Sequence, residues 1–155
     1  IAIGLHNSPL SRRQRKSVLD VVTRELLTPK GLRTLSPKSG AYRPIYVGTA
    51  EERALAHHNG TARPWLMGFY ASAYLKVFGY GGAGYIDRML IGFEDEMSHG
   101  CIGSLSQLYD GNPPYNGHGA ISHCVNVSDV LWALTTLRDF ERAADRKFAE
   151  RLNNL

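Results

Sequence analysis

The sequence predicts an all-α fold laid out as a single domain or fragment spanning residues 1–155. Three observations carry that expectation. Four segments place apolar residues at helical spacing. None sustains the apolar–polar alternation of a strand, short loop pieces such as Ile102 to Leu108 aside. Glycine and proline gather in two long stretches between the helical segments.

The elements follow in order. Ser11 reads as a helix N-cap, with Gln14 three residues on completing a capping box. Val18, Val21, Val22 and Leu26 follow at helical spacing, and Pro29 and Gly31 end the helix. From Lys30 to Thr61 no period is sustained, and Gly31, Pro37, Gly40, Pro44, Gly48 and Gly60 punctuate a predicted loop. A second helix is predicted from Pro64, a residue suited to a first turn. Leu66, Phe69, Tyr70, Ala73, Tyr74 and Val77 form its apolar face, and Gly79 ends it. A third runs from about Gly84 to Met97, where Ile86, Leu90, Phe93 and Met97 form one stripe. A second loop covers Ser98 to Ser122. The last helix is expected to begin near Asn126, with Val127, Val130, Leu131, Leu134 and Leu137 as its buried stripe. Phe140, Ala144, Phe148 and Leu152 continue that stripe after a break. Helix-connecting loops this long predict a site on one rim of a helical scaffold.

Composition limits the function classes. The chain has 155 residues, 43% hydrophobic and 21% charged, which is ordinary for a globular domain. A domain of that size buries roughly 68–70% of its unfolded surface, enough for a real core. No apolar run nears the roughly 18 residues needed to span a bilayer, so no membrane partner is expected. The opening Ile1-Ala2-Ile3-Gly4-Leu5 lacks the basic start of a signal peptide and an initiator Met, so the chain reads as a segment of something longer. The net charge of +4 is scattered, and its densest patch is Arg12-Arg13-Gln14-Arg15-Lys16. That patch lacks interleaved aromatics, so no nucleic-acid partner is expected. Cys101 and Cys124 form no C-x-x-C pair, which argues against zinc and predicts reduced thiols in a cytoplasmic protein.

Four segments can carry chemistry. In Gly31–Pro37, followed by Tyr42, an Arg and an aromatic can clamp and stack a sugar; equally, Arg33 can tie the loop to a helix end. In His57-His58-Asn59-Gly60-Thr61-Ala62-Arg63-Pro64-Trp65, the side chains of Asn59 and Thr61 offer donor and acceptor groups. Trp65 presents a flat apolar face suited to a pyranose, or packs in the core. His57 and His58 lack a third ligand at usable spacing, so no metal is expected. Gly103–Pro114 supplies Gln107, Tyr109 and Asp110 from a loop too long for a single turn. Gly119-Ala120-Ile121-Ser122-His123 leads small residues into the last helix, with His123 read as structural.

Read together, these segments resemble the C-terminal part of glycogen debranching enzymes of the bacterial and archaeal type, the amylo-α-1,6-glucosidases. The matching stretches are Ser8-Pro9-Leu10, Glu25-Leu26-Leu27-Thr28-Pro29, Gly31-Leu32-Arg33-Thr34-Leu35-Ser36-Pro37, His58-Asn59-Gly60-Thr61, Pro64-Trp65-Leu66, Ile102-Gly103-Ser104-Leu105-Ser106, Asp110-Gly111-Asn112-Pro113-Pro114 and Gly119-Ala120-Ile121-Ser122. They stand in the family's order and spacing from about Ala2 to Leu137.

The resemblance implies the last part of an (α/α)6 toroid similar to that of glucoamylases. It further implies hydrolysis, with inversion, of the α-1,6-linked glucose at branch points of glycogen-like α-glucan. No cofactor is implied. The general acid, an Asp, would lie in an upstream part of the same parent domain, so the chain alone is expected to be inactive. Where the family carries a general-base Glu, this chain has Gln107, within Ser106-Gln107-Leu108-Tyr109-Asp110-Gly111. The substrate-binding set implied is Arg33, His58, Asn59, Thr61, Trp65, Tyr109 and Asp110. Arg63 stands where the family often has Trp, and His57 where it often has Tyr. Two other readings stay open: a catalytically inactive α-glucan-binding domain, and a helical module that binds an acidic partner through the basic patch.

Overall fold

The computed structural model describes residues 1–5 and 7–153. Its first helix, α1 (Arg12–Glu25), starts as the sequence predicts. Ser11 Oγ accepts the Gln14 N–H, and the Gln14 side chain accepts the Ser11 N–H at 2.9 Å. The chain then forms β1 (Leu27–Thr28) and β2 (Gly31–Arg33), followed by α2 (Ala50–His58) and β3 (Ala62–Arg63). A turn of 3-10 helix at Pro64–Leu66 leads into α3 (Met67–Phe78), and a second at Gly79–Gly82 leads into α4 (Ala83–Ser98). Then come β4 (Leu108–Tyr109), β5 (Gly117–His118) and α5 (Cys124–Asn153).

The hydrophobic core is centred on α3, which is apolar on nearly every side. Met67, Tyr70, Ala71, Ala73, Leu75 and Val77 are all buried. α5 packs on it with Val130, Ala133 and Leu137, α4 with Ile86, Leu90 and Phe93, and α1 with Leu19. Thr23 Oγ1 on α1 lies 2.8 Å from Tyr70 Oη on α3, a polar link at the edge of this layer.

Four sequence expectations are corrected. The fold is mostly helical rather than all-α, because a five-stranded antiparallel sheet runs through the loops. Its strands are two or three residues long, too short for an alternation to appear. Second, the loop predicted from Lys30 to Thr61 contains α2. That helix is announced by a capping box in which Thr49 Oγ1 accepts the Glu52 N–H and Glu52 Oε2 accepts the Thr49 N–H at 2.7 Å. Third, α5 runs from Cys124 to Asn153 without a break. Val130 and Leu137 of the predicted stripe are buried and Val127, Leu134 and Phe140 pack partly buried against the core, joined by Ala133, whereas Leu131 and Phe148 are exposed; the Leu152 side chain lies outside the described residues. Fourth, Val18 and Val21 on α1 are exposed, and Leu19 with half-buried Val22 faces the core instead. A helix lying on the surface buries a narrow stripe, and here that stripe is offset by one residue.

Candidate functional site

The sheet is what gathers the four chemistry-bearing segments. Strand order is β1-β2-β3-β4-β5. β2 comes from the first segment, β3 from the second and β4 from the third, and β5 immediately precedes the fourth. Arg33 pairs with Ala62, Ala62 with Tyr109, and Tyr109 with Gly117. Backbone bonds extend the pairing, with Thr34 N–H to Thr61 O at 3.0 Å, Gln107 N–H to Ala120 O at 2.8 Å, and His123 N–H to Leu105 O at 2.9 Å. Two glycines make the packing feasible. A Cβ at Gly111 would overlap the Gly60 carbonyl oxygen, and one at Gly119 would overlap the Gln107 side chain.

Arg33 does the structural task open to it from sequence. Its Nε donates to Gly111 O at 2.7 Å and its Nη1 to Glu25 O at 3.2 Å, tying β2 to the end of α1 and to the loop after β4. It also borders a cleft of about 300 Å3 whose wall includes Trp65, so these two predicted site residues do come together. Glu25 anchors the loop after β2, accepting Lys38 Nζ at 2.8 Å and Ser36 Oγ at 2.9 Å. Those partners, with Arg24, hold its carboxyl down at about 2.

The other predicted residues divide into exposed or half-buried ones, His58 and Asn59, and buried ones, Thr61, Tyr109 and Asp110. His58 is exposed, with Nε2 3.3 Å from Nδ1 of His57. Asn59 turns back on its own helix, its Nδ2 donating to Leu55 O at 2.9 Å. Thr61 is fully buried and its Oγ1 donates to His57 O at 3.1 Å. Tyr109 is also fully buried. Its Oη accepts the Ser106 N–H at 3.0 Å, and burial pushes the phenol well above its usual pKa. Asp110 is buried with Oδ1 accepting the Tyr46 N–H at 2.8 Å, and His118 Nε2 lies 2.9 Å from the same oxygen. Thr61, Tyr109 and Asp110 are therefore enclosed among the loop segments, with their polar atoms bonded to protein partners. Of the two departures from the resemblance, Arg63 is buried, its Nη2 donating to His57 O at 2.7 Å. Burial lowers the pKa of His57. Cys101 and Cys124 are both free.

Gln107 is half-buried. Its Oε1 accepts the Ala120 N–H at 3.2 Å, so the side chain lies along the Gly119–Ala120 backbone. Asn126, fully buried at the start of α5, holds the backbone beneath it. Its Nδ2 donates to Ser106 O at 2.7 Å and to Gln107 O at 3.0 Å.

Sequence reasoning missed several residues here. Asn126 stood out only as a helix start. His118 carried no signal apart from a neighbouring glycine, and its link to Asp110 spans eight residues. Asp129 and Trp132 lie on α5 at positions the predicted stripe did not include. Asp129 Oδ2 accepts the Gly68 N–H at 2.7 Å, and its carboxylate also takes the Met67 N–H. Burial outweighs those bonds and pushes its pKa up to about 6.

No curated protein matches the chain. A family model described as amylo-alpha-1,6-glucosidase matches residues 1–137, and on the strength of that match the chain belongs to the amylo-alpha-1,6-glucosidase family.

Proposed function

We propose that the chain forms part of an α-1,6-glucosidase domain, the last portion of an (α/α)6 toroid, acting on branch points of glycogen-like α-glucan. The observation that carries this reading is the meeting of four loop segments, three through one sheet and the fourth through the Gln107 N–H bond to Ala120 O, in a chain of this family. Gln107 takes the general-base position. Arg33, His58, Asn59 and Trp65 contribute the glucose-facing rim, over a floor of Thr61, Tyr109 and Asp110.

Inverting hydrolysis needs two carboxyl groups roughly 6.5–9.5 Å apart, with a water between one of them and the anomeric carbon. One carboxyl group protonates the leaving oxygen, and in this proposal it comes from an upstream part of the parent. The other takes the proton of the attacking water. The Gln107 amide accepts a hydrogen bond from that water but cannot take its proton at neutral pH. A missing general base costs about 10²–10⁴ in rate.

The test is glucose release from a limit dextrin by the parent protein and by its Gln107→Glu variant. The proposal expects release to rise by about 10²–10⁴ in the variant. No glucose from either form would remove the enzymatic reading. The amide at 107 also favours a second reading, an α-glucan-binding domain without turnover. That reading expects malto-oligosaccharide binding and equal inactivity in both forms.

A further inference from the structure

We infer that the cleft between the start of α3 and the first turns of α5, lined by Trp65, Phe69, Val125, Ser128, Asp129 and Trp132, binds one glucosyl unit of an α-glucan. Trp132 and Asp129 are its recognition residues. This inference rests on the α-glucan reading above and adds a binding site to it.

The aromatic wall is built and held. The chain has two tryptophans, and both line this cleft. Trp65 is 37% and Trp132 40% exposed, so each indole leaves surface open to solvent. The Trp132 ring lies directly against the backbone of Gly68, where a Cβ would overlap it. It meets Phe69 edge-on, with centroids 4.9 Å apart and an interplanar angle of 85°. A fixed, half-open indole is a platform for the C–H face of a pyranose, since both are flat and apolar there.

Polar groups stand beside that platform. Asp129 spends two acceptor positions on the N–H groups of Gly68 and Met67. An ionised carboxylate has about four, so two remain for sugar hydroxyls. Its pKa of about 6 leaves it mostly ionised at neutral pH. Ser128 Oγ donates to Val125 O at 3.0 Å and keeps its lone pairs for an incoming hydroxyl. The cleft holds about 310 Å3, at the small end of ligand sites, which run about 300–1,000 Å3.

The same chemistry argues against an apolar partner helix as the occupant. Such a helix would cover the indoles but strip water from the Asp129 carboxylate and the Ser128 hydroxyl without replacing it. A polyhydroxylated ring does both tasks. The position fits too. Trp65 also walls the Arg33 cleft, and Asn126, which holds the Gln107 carbonyl, lies one turn of α5 before Asp129. A glucosyl unit here would neighbour one presented to residue 107.

Because Trp65 and Trp132 are the chain's two tryptophans, their fluorescence reports on this cleft directly. The 155-residue chain would be titrated with isomaltose and with maltotriose, and binding followed by tryptophan emission and by calorimetry. At least one of the sugars should give a saturable emission change. Trp132→Ala should weaken it by at least about tenfold, the loss typical of an anchoring aromatic. Trp132→Phe keeps a ring on Gly68 and guards against a folding defect; it and Asp129→Asn should each weaken binding measurably while circular dichroism stays unchanged. Affinity unaltered in Trp132→Ala and in Asp129→Asn would overturn this cleft and leave the α-glucan reading standing. No calorimetric binding of either sugar by the unaltered chain would overturn both.

Discussion

The helical body and the loop-built rim are held by different forces. In the body, α3 is wrapped by α1, α4 and α5, and side chains such as Met67, Ile86 and Phe93 are almost wholly removed from water. Burying apolar area stabilises this part, and many similar residues could do the same work. In the rim, the sheet strands bury apolar side chains too, among them Leu32, Ala62, Leu108 and Tyr109. The loops around those strands are fixed in addition by single polar contacts and close backbone approaches, such as Arg33 to Gly111 O, Asn126 to the carbonyls of Ser106 and Gln107, and Gly111 against Gly60. The body tolerates substitution by degrees. The rim depends on particular atoms.

The largest expected effect breaks the body. Phe93→Ala should lower global stability by about 3–5 kcal/mol in urea unfolding, through lost burial and the cavity left behind. The rim should respond differently. Asn126→Ala removes the fully buried amide that donates to the Ser106 and Gln107 carbonyl oxygens and should cost about 1–3 kcal/mol. Gly111→Ala forces the Gly60 carbonyl to move and should cost a similar amount. Hydrogen exchange sharpens the comparison, because both rim variants should lose protection at Thr34, Gln107 and Asp110 before any loss at α3. Uniform loss across α3 and the rim would mean that the two regions are one cooperative unit.

That asymmetry also decides how much of the molecule was legible in the sequence. Period 3.6 reveals helices that bury a stripe, so α1, α3, α4 and α5 were all located from spacing alone. The face was harder to fix. Leu131 and Val18 look as apolar as their buried neighbours, and only packing against α3 chooses Val130 and Leu19 over them. The sheet was invisible because strands of two or three residues have no period. α2 was overlooked because a nine-residue polar helix has little stripe, although its T-x-x-E cap was there to be read. The four site segments were found in sequence through their residue types and order. Their joining by strand pairing, and the roles of Asn126, His118, Asp129 and Trp132, depend on contacts between separate elements that no local pattern encodes.

Smaller effects probe the caps. Ser11→Ala and Thr49→Ala should each cost about 1 kcal/mol. The first should appear in global unfolding, since α1 packs on α3. The second should appear mainly as local opening of α2, where Ala56 is the one buried helix residue.

A separate effect is a pH dependence. Asp129 binds its proton more tightly in the folded state, at about 6 against an ordinary 3.8. Between those values the folded chain holds more proton than the unfolded chain, so Asp129's contribution to stability falls as pH rises through that window. Glu25 has the opposite sign. Its carboxyl is held at about 2 against an ordinary 4.5, so its contribution is present above 4.5 and is lost as pH falls toward 2. Unfolding midpoints between pH 4 and 7 should therefore fall less with rising pH in Asp129→Asn than in the unaltered chain. Parallel pH profiles would contradict the burial-raised pKa.

The central claim is that the rim presents residue 107 to a terminal glucosyl unit. The side-chain NH2 of Gln107 supplies its own probe, through its pair of amide proton resonances in a 15N-labelled chain titrated with isomaltose. Both resonances should shift saturably, in step with the indole N–H signal of Trp65. Saturable sugar binding that moves other resonances and leaves the Gln107 pair unchanged would contradict it.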